Sequence, residues 1–100
     1  MVVIRVLVNV KPEASDAFVD HAKREMTEVK QKFAGCERFA LYGDLIKENT
    51  FLLYEEWQTQ ENFDAYRTSD YFQQNGEKLY AMMANTPDSA YFTAEALPQP

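Results

Sequence analysis

One hundred residues, with 16 Asp and Glu against 10 Lys and Arg, carry a net charge of −6 and are 46% hydrophobic and 14% aromatic. A chain of that length makes one domain with one core, read here as residues 1–97 with a short tail at 98–100. The negative balance supports solubility and argues against nucleic acid or an anionic membrane surface as partner, because both attract a positive field.

The N-terminal run MVVIRVLVNV is too short to span a bilayer and lacks the basic start and small-residue cleavage site of a signal peptide. Val2 to Val10 is β-branched almost throughout, which predicts a strand covered on both faces. Pro12 ends it, and a helix is expected from Glu13 to Phe33. Phe18, Ala22, Met26, Val29 and Phe33 recur at three- and four-residue spacing, giving one apolar stripe with charged residues opposite. Gly35 is the expected stop. Cys36 to Tyr42 reads as a second strand, with Phe39 and Leu41 on one face and Arg38, Ala40 and Tyr42 on the other. Gly43 to Asn49 is a wide polar turn.

Thr50 to Gln58 is the third strand, apolar on both faces. Thr59 caps a short helix reaching about Arg67, with Glu61 near its positive end. Ser69 caps a further turn with Tyr71 and Phe72, Gly76 interrupts, and Glu77 to Ala84 forms a last helix with Leu79, Met82 and Met83 inward. Asn85-Thr86-Pro87 breaks that helix, and Ser89 to Leu97 alternates as a fourth strand. The order β-α-β-β-α-β is the split βαβ, or ferredoxin-like, α+β arrangement with a four-stranded antiparallel sheet. Helices cover one face of such a sheet. Strands one and three are apolar on both, so the second face is expected to be covered by another copy of the chain, making a homodimer.

The lone Cys36 excludes an intrachain disulfide and suits a reducing cytoplasm, and one Cys with one His gives no zinc-ligand cluster. No glycine-rich phosphate loop or thiolate–imidazole set is present, so neither metal, haem nor flavin is expected as a cofactor.

Three segments carry a family pattern: Val8 to Phe18 (V-N-V-K-P-E…D-A-F), G-C-x-R-F at Gly35 to Phe39, and F-x-x-x-E-x-W at Phe51 to Trp57 followed by S-x-x-F at Ser69 to Phe72. Over residues 4–92 the chain resembles the antibiotic biosynthesis monooxygenase-like domains, which are small dimeric α+β barrels. The resemblance implies a pocket between sheet and helices, and oxygen addition to quinol-like aromatics without flavin or metal. In such chemistry a base removes a substrate proton, and donors hold the resulting anion in a dry, aromatic cavity.

The expected wall is Trp57, Tyr54, Phe63, Tyr66, Tyr71 and Phe72, with Asn9 and Arg38 as polar contacts. Relatives commonly carry His where this chain has Tyr66 and Tyr71. Those two, with Asn9, are the expected catalytic groups, and Tyr66 is the expected hydrogen-bond donor to a phenolate. Tyrosine is a poor base near neutral pH, which counts against histidine-dependent isomerase chemistry. The haem-binding His of another branch falls at Gly76, which counts against that branch. Glu55 has two readings, a cross-strand partner for Arg5 or Arg38 and a general base. His21 reads as a helix-face residue, Cys36 as a small buried hydrophobe. The alternatives to a monooxygenase are a non-catalytic small-molecule-binding dimer and an isomerase of small carbonyl metabolites.

Overall fold

A computed structural model describes all residues, Met1–Pro100. Strand β1 (Val2–Asn9) leads through a 3-10 turn (Pro12–Ala14) into helix α1 (Ser15–Lys32). Strands β2 (Cys36–Gly43) and β3 (Thr50–Trp57) follow, then helices α2 (Gln60–Arg67) and α3 (Asp70–Met82), and finally β4 (Asp88–Thr93). The sheet is antiparallel throughout in the order β2-β3-β1-β4, so the first and third strands lie at its centre.

Alternation along the central strands decides which side chains meet the helices. Val2, Ile4 and Val8 of β1 are buried, as are Leu53, Glu55 and Trp57 of β3. The core continues into α1 through Phe18, Ala22 and Val29, and into the other helices through Phe63, Tyr66 and Leu79. The opposite sheet face bears Arg5, Leu7, Arg38, Tyr42, Leu52, Tyr54 and Phe92, and no element of the chain covers it. Leu7, Tyr42 and Phe92 remain 39%, 43% and 49% exposed.

Two expectations need correcting. Residues 70–82 form one helix, not a turn followed by a helix after Gly76. A glycine in a helix interior costs about 1 kcal/mol relative to alanine, and the packing of Leu79 and Phe72 on either side outweighs that. The fourth strand stops at Thr93 and starts at Asp88, shorter than the alternation to Leu97 suggested. Its pairing to β1 runs out where β1 itself begins, at Val2 opposite Thr93.

Candidate active site

A cavity of about 460 Å³ lies between the helix-facing side of the sheet and α2–α3, open to solvent on one side. Ile4 and Val6 of β1 and Leu53 and Glu55 of β3 form its floor. Phe63, Tyr66 and Arg67 of α2 and Phe72, Leu79 and Met83 from the α3 region close over it, and Tyr91 of β4 stands at the edge. Glu25 of α1 completes the deep end.

Local sequence places these groups. The Thr59 hydroxyl accepts from the Asn62 backbone N–H at 3.1 Å, starting α2 so that Phe63 and Tyr66, three apart, point down onto the sheet. The Ser69 hydroxyl accepts from the Phe72 N–H at 3.1 Å and donates to the Tyr66 carbonyl at 2.6 Å, turning the chain directly from α2 into α3. Phe72 therefore meets Tyr66 edge-on, with ring centroids 5.1 Å apart at 87°. The Tyr66 ring stacks on Trp57 at 5.1 Å and 21°.

Trp57 sits behind that stack, with no exposed surface, and its indole N–H donates to a Glu55 carboxyl oxygen at 2.9 Å. Glu55 and Glu25 are the only buried charged residues, 6% and 4% exposed. Burial pushes the Glu55 carboxyl up to about 7, opposed by the Trp57 hydrogen bond. Burial also lifts Glu25 to about 7, and the charges of Glu55 and Glu28 add to the rise. Both carboxyls thus change charge near neutral pH. The Tyr66 hydroxyl is pushed far above its ordinary value, by burial first and then by the neighbouring Glu25 and Glu55 charges. It stays protonated and can act only as a neutral hydrogen-bonding group. Cys36 is raised to about 11 by burial and the Glu55 charge, so its thiol is inert.

Of the residues expected at the site, Phe63, Tyr66 and Phe72 line the cavity. Trp57 lies one layer behind. Tyr71 falls on the other side of α3, against Phe33 (centroids 5.8 Å) with Lys32 over its ring, and its buried hydroxyl has no hydrogen-bond partner. Successive helix positions diverge by about 100°, so Tyr71 and Phe72 cannot share a face. Asn9, Tyr54 and Arg38 are displaced for the analogous strand reason, since odd positions of β1 and even positions of β2 and β3 face away from the helices. The Asn9 amide donates to Asn85 and accepts from Thr50 at the strand end. Arg38 donates to the Tyr42 hydroxyl at 2.9 Å, and Tyr54 donates to Glu56 at 2.6 Å, all on the uncovered face.

The cross-strand reading of Glu55 is likewise corrected. Arg5 is opposite Tyr54 and Arg38 opposite Glu56, so Glu55 meets neither arginine. Glu25 went unnoticed in the sequence, yet the signal is there. It follows Phe18 by seven residues and Ala22 by three, which puts a carboxylate inside the apolar stripe of α1. His21, one turn earlier, is half-buried with an unpartnered Nε2, and burial lowers its affinity for a proton. No set of three His, Cys, Asp or Glu side chains is arranged to hold a metal ion, and no helix is long and apolar enough to cross a membrane.

The family model for antibiotic biosynthesis monooxygenases matches residues 1–78. The chain belongs to the antibiotic biosynthesis monooxygenase family. Among solved structures, it is similar to SnoaB of Streptomyces nogalater, a cofactor-independent oxygenase, at 21% identity with 98% of this chain and 97% of that one covered and a TM-score of 0.84. A conserved protein of Methanosarcina mazei Go1 matches at 24% identity, 95% of each chain and a TM-score of 0.80. Rv0793 of Mycobacterium tuberculosis matches at 14% identity, 98% of each chain and a TM-score of 0.84. At such identities these likenesses establish the shared fold. No curated protein matches the sequence. Membership of the family supports monooxygenase activity, and the expected ferredoxin-like α+β order stands in the observed sheet.

Proposed function

We propose that this family member oxidises a small dihydroxylated aromatic, a quinol, with O₂ in the cavity under α2 and α3, using neither flavin nor metal. The observation that carries the reading is an apolar cavity of about 460 Å³ into which the neutral Tyr66 hydroxyl and two buried carboxyls project. The reaction balances without an external reductant. A hydroquinone and one O₂ give a hydroxyquinone and one water, with the substrate supplying all four electrons that reduce the two oxygen atoms.

Phe63, Phe72 and the Tyr66 ring supply flat apolar contact for the substrate. The Tyr66 hydroxyl donates to the oxygen that becomes anionic, where a positioned donor in a dry site stabilises charge more than it does in water. Trp57 supports the Tyr66 ring from behind, so its role is positioning.

The protein works as a homodimer, joined through the apolar sheet face that carries Leu7, Leu52 and Phe92, and in a reducing compartment that suits its single thiol. The test is oxygen uptake by purified protein with hydroquinones of one and two rings. Turnover above the uncatalysed autoxidation rate supports the oxygenase. Saturable binding of the same ring without turnover would instead make the chain a binding module.

A further inference from the structure

Glu25 and Glu55 reach one cavity from different elements, α1 and β3, and both are more than nine-tenths buried. One Glu55 oxygen is held by the Trp57 indole N–H at 2.9 Å, and its other oxygen is free. No side chain or backbone group of the protein donates to Glu25. A buried carboxyl with no partner is costly, and Glu25 lines this cavity. No lysine or histidine lines the cavity. Its single cation, Arg67, is turned away at the mouth, bonded to Asp64 at 2.7 Å and stacked over Phe63.

We propose that Glu25 and Glu55 together form the proton-accepting end of the cavity and select a neutral ligand bearing an aromatic hydroxyl. This rests on the aromatic-pocket reading above. In the step, the ligand O–H bond breaks, its electron pair stays on oxygen as phenolate, and the proton forms a new O–H bond on the ionised carboxylate. Two buried carboxyls in one space resist ionising together, so the pair loses its protons in two steps and, once singly ionised, presents one charge to the ligand. The other groups facing the pair are Tyr66 from α2, Tyr71 from α3, Cys36 from β2 and Glu28 from α1. Tyr66, Tyr71 and Cys36 stay neutral, and Glu28 adds negative charge. An anion entering this end meets repulsion, and a phenolic donor meets an acceptor.

The experiment is calorimetric titration of the whole protein with 2-naphthol, which resists oxidation and stays neutral below about pH 9, as ordinary phenols do. Affinity should rise roughly tenfold between about pH 6 and pH 8, following ionisation of the pair. The double substitution Glu25→Gln with Glu55→Gln should abolish that rise, whereas His21→Gln, which removes the other group titrating nearby, should leave it. 2-Naphthoate, the same ring carrying a negative charge, should bind at least about tenfold more weakly at pH 8. The wild-type profile and the naphthoate comparison stand even where a variant fails to fold. Naphthol affinity that is flat with pH, or naphthoate binding as tightly as naphthol, overturns the assignment while leaving an aromatic pocket. No binding of either ring overturns both the assignment and the pocket reading.

Discussion

Two glutamates carry the sharpest consequences at the scale of single residues. Each has a folded pKa near 7 against an ordinary value of 4.5, so between those limits the native state binds more protons than the unfolded chain. Stability therefore falls as pH rises from about 4.5 to 7, and the loss is complete above the folded pKa. A shift of this size corresponds to roughly 3 kcal/mol per group at most. Thermal melts should give a higher Tm at pH 5.5 than at pH 8, and Glu25→Gln should raise the Tm at pH 8 with little effect at pH 5. Insensitivity of the melt to both pH and substitution would mean the carboxyls are solvated. Tyr66→Phe probes the neighbouring donor. The ring and its stack on Trp57 are retained, so stability should hold while quinol oxidation falls by about 10²-fold or more. Equal rates in the two proteins would reduce Tyr66 to a wall.

Among the elements, two glycines should respond to alanine in opposite directions. Gly35 ends the turn after α1 at φ +83°, and a Cβ there would run into the Asn62 side chain, which belongs to the cap of α2. Gly35→Ala pays for both the left-handed backbone and the displaced cap, so urea unfolding should show a loss of more than about 1 kcal/mol. Gly76 sits inside α3, where an added Cβ meets nothing within 4 Å. Gly76→Ala should stabilise by roughly 0.5–1 kcal/mol through helix propensity. A loss there would show that the cavity roof needs the flexibility. The Glu77 start expected for the last helix failed for the same reason that this substitution should help. One glycine is a weak break when apolar residues before and after it pack on the same body.

For the whole molecule, the decisive feature is the uncovered sheet face. Leu52 and Leu53 are adjacent in β3 and point to opposite sides, Leu53 to the cavity floor and Leu52 to the bare face. Leu52→Glu should yield a folded monomer by sedimentation, because it places a charge where a second copy would pack. Leu53→Glu should instead lower thermal stability by several kcal/mol, since the charge is buried within one chain. A wild-type monomer at micromolar concentration would remove the dimer from the account.

Local pattern alone determined the element order, the apolar character of the first and third strands on both faces, the caps at Thr59 and Ser69, and the stop at Gly35. Each depends on the chain within a few residues: alternation, 3.6-residue spacing, a hydroxyl three residues ahead of a free N–H. Phe63, Tyr66 and Phe72 follow from the family resemblance rather than from local pattern, and the docking of α2 and α3 brings them together at the cavity. The rest was decided by packing. Whether Asn9, Tyr54 and Arg38 point at the helices depends on which side of the sheet α1 settles on, and a two-faced apolar strand carries no mark of that choice. Tyr71 lost its place through a one-residue phase difference once α3 ran unbroken. Glu25 and Glu55 lie 30 positions apart in sequence, and only the docking of α1 against β2 and β3 brings both into one dry space, where burial turns two ordinary surface-type carboxylates into groups that titrate near neutrality.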